Sequence, residues 1–156
     1  MKINLGCGSD VRSGFVNIDR LPQGKMSQDV YRQGDIRSLD WLAEDGTVDE
    51  IIAIDCLEYL PSNEVQPAIA NWAQKLVPGG ILKILVPDCF VVSQAFYLGQ
   101  LDLPEFLKIM FGTQENGDNR LSAIDVNTLL AIISDTGLTL ILKRYEGVAI
   151  YVEASK

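Results

Sequence analysis

Two apolar runs, Val48–Ile54 and Ile81–Val86, bracket a stretch in which Val65, Ile69, Trp72, Ala73 and Leu76 recur at helical spacing. Runs of this kind read as strands buried on both faces, and a helix between two of them is the crossover that parallel pairing requires. The turn Asp45-Gly46 precedes the first run. Pro78-Gly79-Gly80 stops the helix, and Pro87 closes the second run. Ser62 or Asn63 can cap the helix start, while Pro67 predicts that the helix starts late or kinks. This unit points to an α/β sheet.

The flanking segments extend the alternation. Ile3-Asn4-Leu5 ends in a glycine turn and predicts a first strand; Phe15–Asp19 alternates and predicts a second. Asp29-Val30-Tyr31 predicts a weak third strand before Gly34-Asp35. Beyond Pro87, Val91–Phe111 has helical patterning interrupted by Gly99 and Pro104, hence two helices. Gly112–Ser122 is polar and irregular, and Ile124–Thr136 predicts a helix ended by Gly137. Leu138–Tyr145 and Val148–Ala154, joined by Glu146-Gly147, predict a hairpin that adds an antiparallel edge.

Only six residues, Ser9–Gly14, separate Gly8 from the second strand. As a helix they would advance about 9 Å, too little to return along a strand of about 17 Å. Extended, they reach about 20 Å. The first crossover helix is therefore expected to be missing or reduced to a turn. One face of the sheet near the loop would be thinly covered, by a mobile loop or by a partner such as a second copy in a homodimer.

Composition narrows the function classes. The 156 residues make one domain, 1–156. No apolar run approaches the roughly 20 residues that span a bilayer, and Met1–Gly6 does not read as a signal peptide. A cytoplasmic location is expected. The net charge is −8, from 13 basic and 21 acidic residues, with no basic run; this argues against nucleic acid as the main partner. Cys7, Cys56 and Cys89 are odd in number and lack CxxC spacing, so no disulfide framework is expected. Histidine is absent, which removes the commonest general base and the commonest zinc ligand. No metal centre is expected, and carboxylates, Tyr, Lys, Cys or positioning must carry any chemistry.

Four segments fall at strand ends, where open α/β sheets bind ligands. Gly6 and Gly8 follow the first strand, where backbone amides can approach a ligand closely. Asp19 ends the second strand, the position from which a carboxylate accepts ribose hydroxyls. Asp35 can accept from an adenine amino group while Ile36 packs on the ring. Ile54-Asp55-Cys56-Leu57-Glu58-Tyr59-Leu60 follows the fourth strand. Each has a bland reading as an ordinary turn; the ordered series is more specific.

The segments Lys2–Gly8, Gly14–Asp19, Gly34-Asp35-Ile36, Val48–Ile51, Leu57–Leu60, Leu76–Leu82 and Val86-Pro87-Asp88 resemble the Rossmann-like (class I) S-adenosylmethionine-dependent methyltransferases. The likeness is strongest to a group of small members and runs over nearly the whole chain. It implies a doubly wound, mostly parallel sheet with a C-terminal antiparallel hairpin. It implies that Gly6, Cys7 and Gly8 wrap the methionine part of the cofactor, that Asp19 binds the ribose, and that Asp35 and Ile36 hold the adenine. Asp55 and Leu57 would flank the sulfonium. Gly112–Asn116 would border the acceptor pocket, with residues 91–122 an insertion on the acceptor side. Departures from the family pattern are Asn4 for an acid, Asp10 for the third glycine, Val77 for a lysine, and Asn119-Arg120 where relatives tend to carry a histidine.

The function so implied is methyl transfer to a small molecule, or a glycan or lipid precursor, by alignment at the strand ends. Asp55, Asp88 and Glu115 are candidate bases, Asp88 equally a helix cap. Tyr59, Tyr97 and Trp72 read as packing residues, Glu58 as a first-turn acid favouring a helix dipole, and Cys7 and Cys56 as small apolar filler. The alternative is a catalytically weakened module that holds S-adenosylmethionine or S-adenosylhomocysteine for regulation or assembly. A nicotinamide-dependent oxidoreductase is disfavoured: Val11 stands at the third glycine of the dinucleotide fingerprint, and Gly8 is too close to Asp19.

Overall fold

The computed structural model describes residues 1–22 and 31–156. Its strands are β1 (Lys2–Leu5), β2 (Val16–Asp19), β3 (Tyr31–Gln33), β4 (Val48–Ile54), β5 (Leu76–Pro87), β6 (Thr139–Glu146) and β7 (Ala149–Ser155). They form one sheet in the order β3-β2-β1-β4-β5-β7-β6. The first five run parallel; β6 and β7 form an antiparallel hairpin docked on β5 through β7. The expected mostly parallel α/β sheet with a terminal hairpin is thus present. The Asp29-Val30 start proposed for the third strand lies outside the described residues.

Register sorts the side chains. Ile3, Ile51, Leu82 and Ala154 lie in one row across the sheet, and Leu5, Ala53, Ile84 and Val152 in the next. All are buried. With them pack Ile69 and Trp72 of α1 (Ser62–Lys75) and Leu129 and Ile133 of α4 (Val126–Asp135), forming the core. Rows on the opposite face carry charge: Lys2, Glu50 and Lys83 are joined by ion pairs of 2.8 and 2.7 Å.

Several local expectations are corrected. The helix α1 begins at Ser62, after Pro61, with no side-chain cap, so neither Ser62 nor Asn63 caps it. Pro67 sits inside its second turn, close enough to the N-terminus that only one intrahelical bond is forfeited. Pro78-Gly79-Gly80 is a bulge inside β5 rather than a boundary. Leu76 already pairs with Val48, and regular pairing resumes at Glu50 and Ile81. At Gly80 a Cβ would lie 2.9 Å from the Val77 carbonyl and 3.1 Å from that of Val48, so the bulge needs glycine there. Between α2 (Cys89–Tyr97) and α3 (Leu103–Phe111), Pro104 starts a helix instead of interrupting one: it lies in the first turn behind a capping box of Asp102 and Glu105.

The link from β1 to β2 contains no helix, as its length requires. Two buried amides hold it in place. Asn4 Nδ2 donates to the Asp10 carbonyl at 2.7 Å and to Asn17 Oδ1 at 2.9 Å. Asn17 Oδ1 also accepts Arg12 N at 2.8 Å, and its Nδ2 donates to the carbonyls of Arg12 and Phe15 at 3.1 Å each. Side-chain amides thus bond backbone groups that a crossover helix would have satisfied itself. A hollow of about 540 Å³, lined by Lys2, Val11, Arg12 and Phe15 among others, lies beside the link. Asn17→Leu keeps the branched outline of the side chain but strands these donors and acceptors. It is expected to lower the unfolding free energy by about 3 kcal/mol, read as a lower urea midpoint at unchanged m.

Candidate active site

The turn after β1 approaches the turn after β4 closely. Gly6 has φ +59°, and a Cβ there would lie 2.4 Å from Cys56 Cβ, an impossible separation. Gly8, also at positive φ, donates its N–H to Asp19 Oδ2 at 2.9 Å, and Leu21 N donates to Oδ1 at 3.0 Å. Asp19 therefore ties the glycine loop to the end of β2. Its carboxylate has lone pairs beyond those two bonds for a ligand's hydroxyls.

Two tryptophans position the next segment. Fully buried Trp72 donates Nε1–H to the Ile36 carbonyl at 2.7 Å, and Trp41 donates to the Asp35 carbonyl at 3.1 Å. The Asp35 carboxylate is held by the Arg37 guanidinium and backbone N–H, which keeps its pKa below the ordinary range. At the end of β4, Asp55 adopts φ +47°, a left-handed conformation that costs a non-glycine residue free energy. Its N–H bonds the Leu85 carbonyl at 2.9 Å. Burial raises its carboxyl pKa, opposed by the Arg120 charge.

Gly6, Gly8, Asp19, Asp35, Ile36 and Asp55 line one cavity of about 730 Å³, within the range of small-ligand sites. Cys7 and Leu57 are buried and do not contribute to its lining. Burial pushes the Cys7 thiol up to about 11 and that of Cys56 well above its ordinary value, so both stay protonated. Asp88 is elsewhere. It is fully buried, caps α2 through Phe90 N and Val91 N, and accepts Val126 N and Tyr145 Oη. Glu115 sits in an exposed turn and is not among the lining residues.

Of the other wall, the resemblance pointed to Gly112–Asn116, of which Asn116 lines the cavity; the residues that hold it were not legible in the sequence. Tyr59, read there as packing, lines the cavity and donates its hydroxyl to Asp118 Oδ1 at 2.6 Å. From the β2 side, Arg20 donates to the Gly117 carbonyl. Asn116, Gly117, Asp118 and Leu121 complete the wall, so the 112–122 segment is tied down from both sides of the cavity. Tyr97, also read as packing, is exposed. Behind Tyr59, Glu58 is 3% exposed, and neither carboxylate oxygen has a hydrogen-bond donor among the described residues. Arg120 Nη1 is the cation beside it, at 3.4 Å. Burial outweighs that attraction and pushes the Glu58 carboxyl up to about 7.

Two outcomes follow from this geometry. Gly6→Ala is expected to abolish ligand binding at the cavity and to lower thermal stability, since both φ and the Cys56 contact forbid the methyl. For Glu58, the folded state keeps a proton that the unfolded chain releases near pH 4.5. Its favourable contribution is therefore present below that pH and is lost as pH rises to about 7. Glu58→Gln should match the parent at pH 4.5 and be more stable at pH 8, by about 3 kcal/mol, in parallel denaturant titrations.

The cavity's donor set fits an adenosyl cofactor: a carboxylate for the ribose, a carboxylate with an isoleucine for the adenine, and a glycine loop open to close backbone approach. The match to known proteins agrees. A family model described as "Methyltransferase domain" matches residues 5–84, just over half of the chain. Among curated proteins none matches by sequence. Among solved structures, an S-adenosylmethionine-dependent methyltransferase from Mesorhizobium loti superposes with TM-score 0.70 at 14% identity, covering 99% of this chain and 90% of that one. An O-methyltransferase family protein from Burkholderia thailandensis gives 0.68 at 17%, with 99% of this chain covering 50% of the other. The 1,6-didemethyltoxoflavin-N1-methyltransferase of Burkholderia thailandensis, solved with its substrate and S-adenosylhomocysteine, gives 0.66 at 11%, covering 99% and 70%. At these identities the likeness is one of fold, and this chain spans half of one relative and most of the other two. Family model, fold and cavity together place the chain in the methyltransferase domain family, with S-adenosylmethionine as its cofactor.

Proposed function

We propose that the protein transfers a methyl group from S-adenosylmethionine to a small-molecule acceptor, a metabolite or a glycan or lipid precursor, at the mouth of the 730 Å³ cavity. The observation that carries this reading is the convergence of Gly6, Gly8, Asp19, Asp35, Ile36 and Asp55 on that single cavity. When bound, the cofactor supplies an activated methyl group, so the protein's task is alignment and exclusion of water. Asp19 accepts the ribose hydroxyls. Asp35 and Ile36, fixed by Trp41 and Trp72, hold the adenine. Asp55 would flank the sulfonium and, with its raised pKa, is the candidate acceptor of the nucleophile's proton. The Asn116–Asp118 segment closes the wall against water. Three free thiols support a reducing compartment such as the cytoplasm.

A second reading, a module that holds the cofactor without turnover, is favoured by one observation. Asn4, at the position of the family's acid, is buried and engaged with Asp10 and Asn17, out of contact with the cavity. Calorimetric titration with S-adenosylmethionine, S-adenosylhomocysteine and NAD tests both. Binding of the two adenosyl compounds and not NAD is expected, with a matching rise in melting temperature. Asp19→Ala should weaken that binding at least tenfold. No heat from either adenosyl compound overturns both readings; binding without methyl release on a broad acceptor panel favours the second.

A further inference from the structure

Glu58 carries a cost with no visible return in stability. A carboxylate buried without hydrogen-bond donors is unfavourable, and glutamine or methionine would fill the space more cheaply. Yet it sits where three elements meet. Its backbone carbonyl accepts Leu121 N at 2.7 Å and Ser122 N at 3.1 Å, and Ser122 Oγ bonds the Leu57 carbonyl at 3.3 Å. The helical turn Leu57–Tyr59 is thereby stitched to the end of the 112–122 segment. Arg120, facing the Glu58 carboxylate, donates Nη1–H to the Ile109 carbonyl of α3 at 2.7 Å, and its backbone N–H bonds the Phe111 carbonyl. The same guanidinium lies 5.8 Å from the centroid of the Tyr59 ring, and Arg20 lies 5.9 Å from it.

Tyr59 in turn holds Asp118, and Arg20 holds Gly117. Arg120 therefore reaches this wall through the Tyr59 ring, whose hydroxyl bonds Asp118. We propose that Glu58 is a positioning residue for methyl transfer: its ionised carboxylate anchors Arg120, and through Arg120 keeps Asn116–Asp118 closed over the bound cofactor. This rests on the adenosyl-cofactor reading. It explains why a costly acid is retained: the site gains a held wall at the expense of fold stability.

Burial opposes ionisation of Glu58 most strongly; its own backbone N–H and then Arg120 favour it, and Asp55 and Asp118 oppose it, while Cys56 beside it stays protonated. Asp118, bonded by Tyr59 and Thr113, is held at about 2 and remains ionised throughout the neutral range. Glu58, at about 7, changes its charge within that range. The wall is therefore held more firmly at pH 8 than at pH 6.

Release of S-adenosylhomocysteine, followed by stopped-flow tryptophan fluorescence between pH 6 and 8, tests the proposal. The parent protein is expected to release it about tenfold more slowly at pH 8, with a midpoint near 7. Glu58→Gln should release it fast at both pH values while melting no lower than the parent at pH 8, which separates loss of positioning from loss of folding. Glu58→Asp should restore part of the pH dependence. Arg120→Gln should likewise remove the pH dependence of release, as Glu58→Gln does. Equal release rates at pH 6 and 8 in the parent, or parent-like release from Glu58→Gln at pH 8, overturn the proposal. Failure of the parent to bind the ligand at either pH overturns the cofactor reading instead.

Discussion

The buried amide pair Asn4–Asn17 underlies the rest of this structure. A parallel connection normally spends a helix on returning the chain, and the helix satisfies its own backbone groups. Six residues cannot do that. The link must run extended, and its backbone groups must find partners elsewhere. Asn17 bonds Arg12 on both its N–H and carbonyl, and Asn4 bonds Asp10. That places β1 beside β2, and with them Gly8 beside Asp19. A ligand site that depends on these two strand ends depends on two amides in the sheet interior.

The same economy leaves the sheet unequal on its two sides. One face is packed with aliphatic rows under α1 and α4. The other carries the Lys2–Glu50–Lys83 ladder, partly solvated, where an apolar row would need cover. The cavity stands at the carboxyl ends of the strands, where acidic groups gather: Asp19, Asp35, Asp55 and Asp118. Their ionisation is managed individually. Arg37 holds Asp35 low, Tyr59 and Thr113 hold Asp118 low, and burial lifts Asp55 and Glu58. A cationic cofactor suits such a setting, and Glu58, pushed up to about 7, titrates near neutrality.

Much of the first wall was readable in sequence because strand ends come in order. Once β1, β2 and β4 are recognised by their apolar runs, the residues just beyond them share an edge of the sheet by topology alone. Of the other wall only the Gly112–Asn116 loop was anticipated, through the family resemblance; its partners were not readable. Tyr59 looked like packing and Glu58 like a dipole-compensating acid, because nothing in their neighbours shows that the 112–122 segment returns to them. Asp88, chosen as a carboxylate near an apparent strand end, is placed away from the cavity by contacts across the chain, whereas Glu115, beside the lining residue Asn116, is turned out to solvent. Asp88 joins α2, α4 and the hairpin through Phe90, Val126 and Tyr145.

Periodicity and chain length determined the α/β sheet, the antiparallel hairpin and the absence of a first crossover helix, since these follow from local geometry and reach. Glycine spacing and strand-end acids determined where a cofactor is to be sought. Tertiary structure alone decided which acids are buried, which are paired and which face the cavity. Burial and pairing arise between residues far apart in the chain, such as Glu58 with Arg120 and Arg20 with Gly117, and desolvation, which sets the charge of Glu58, has no signature in the order of residues.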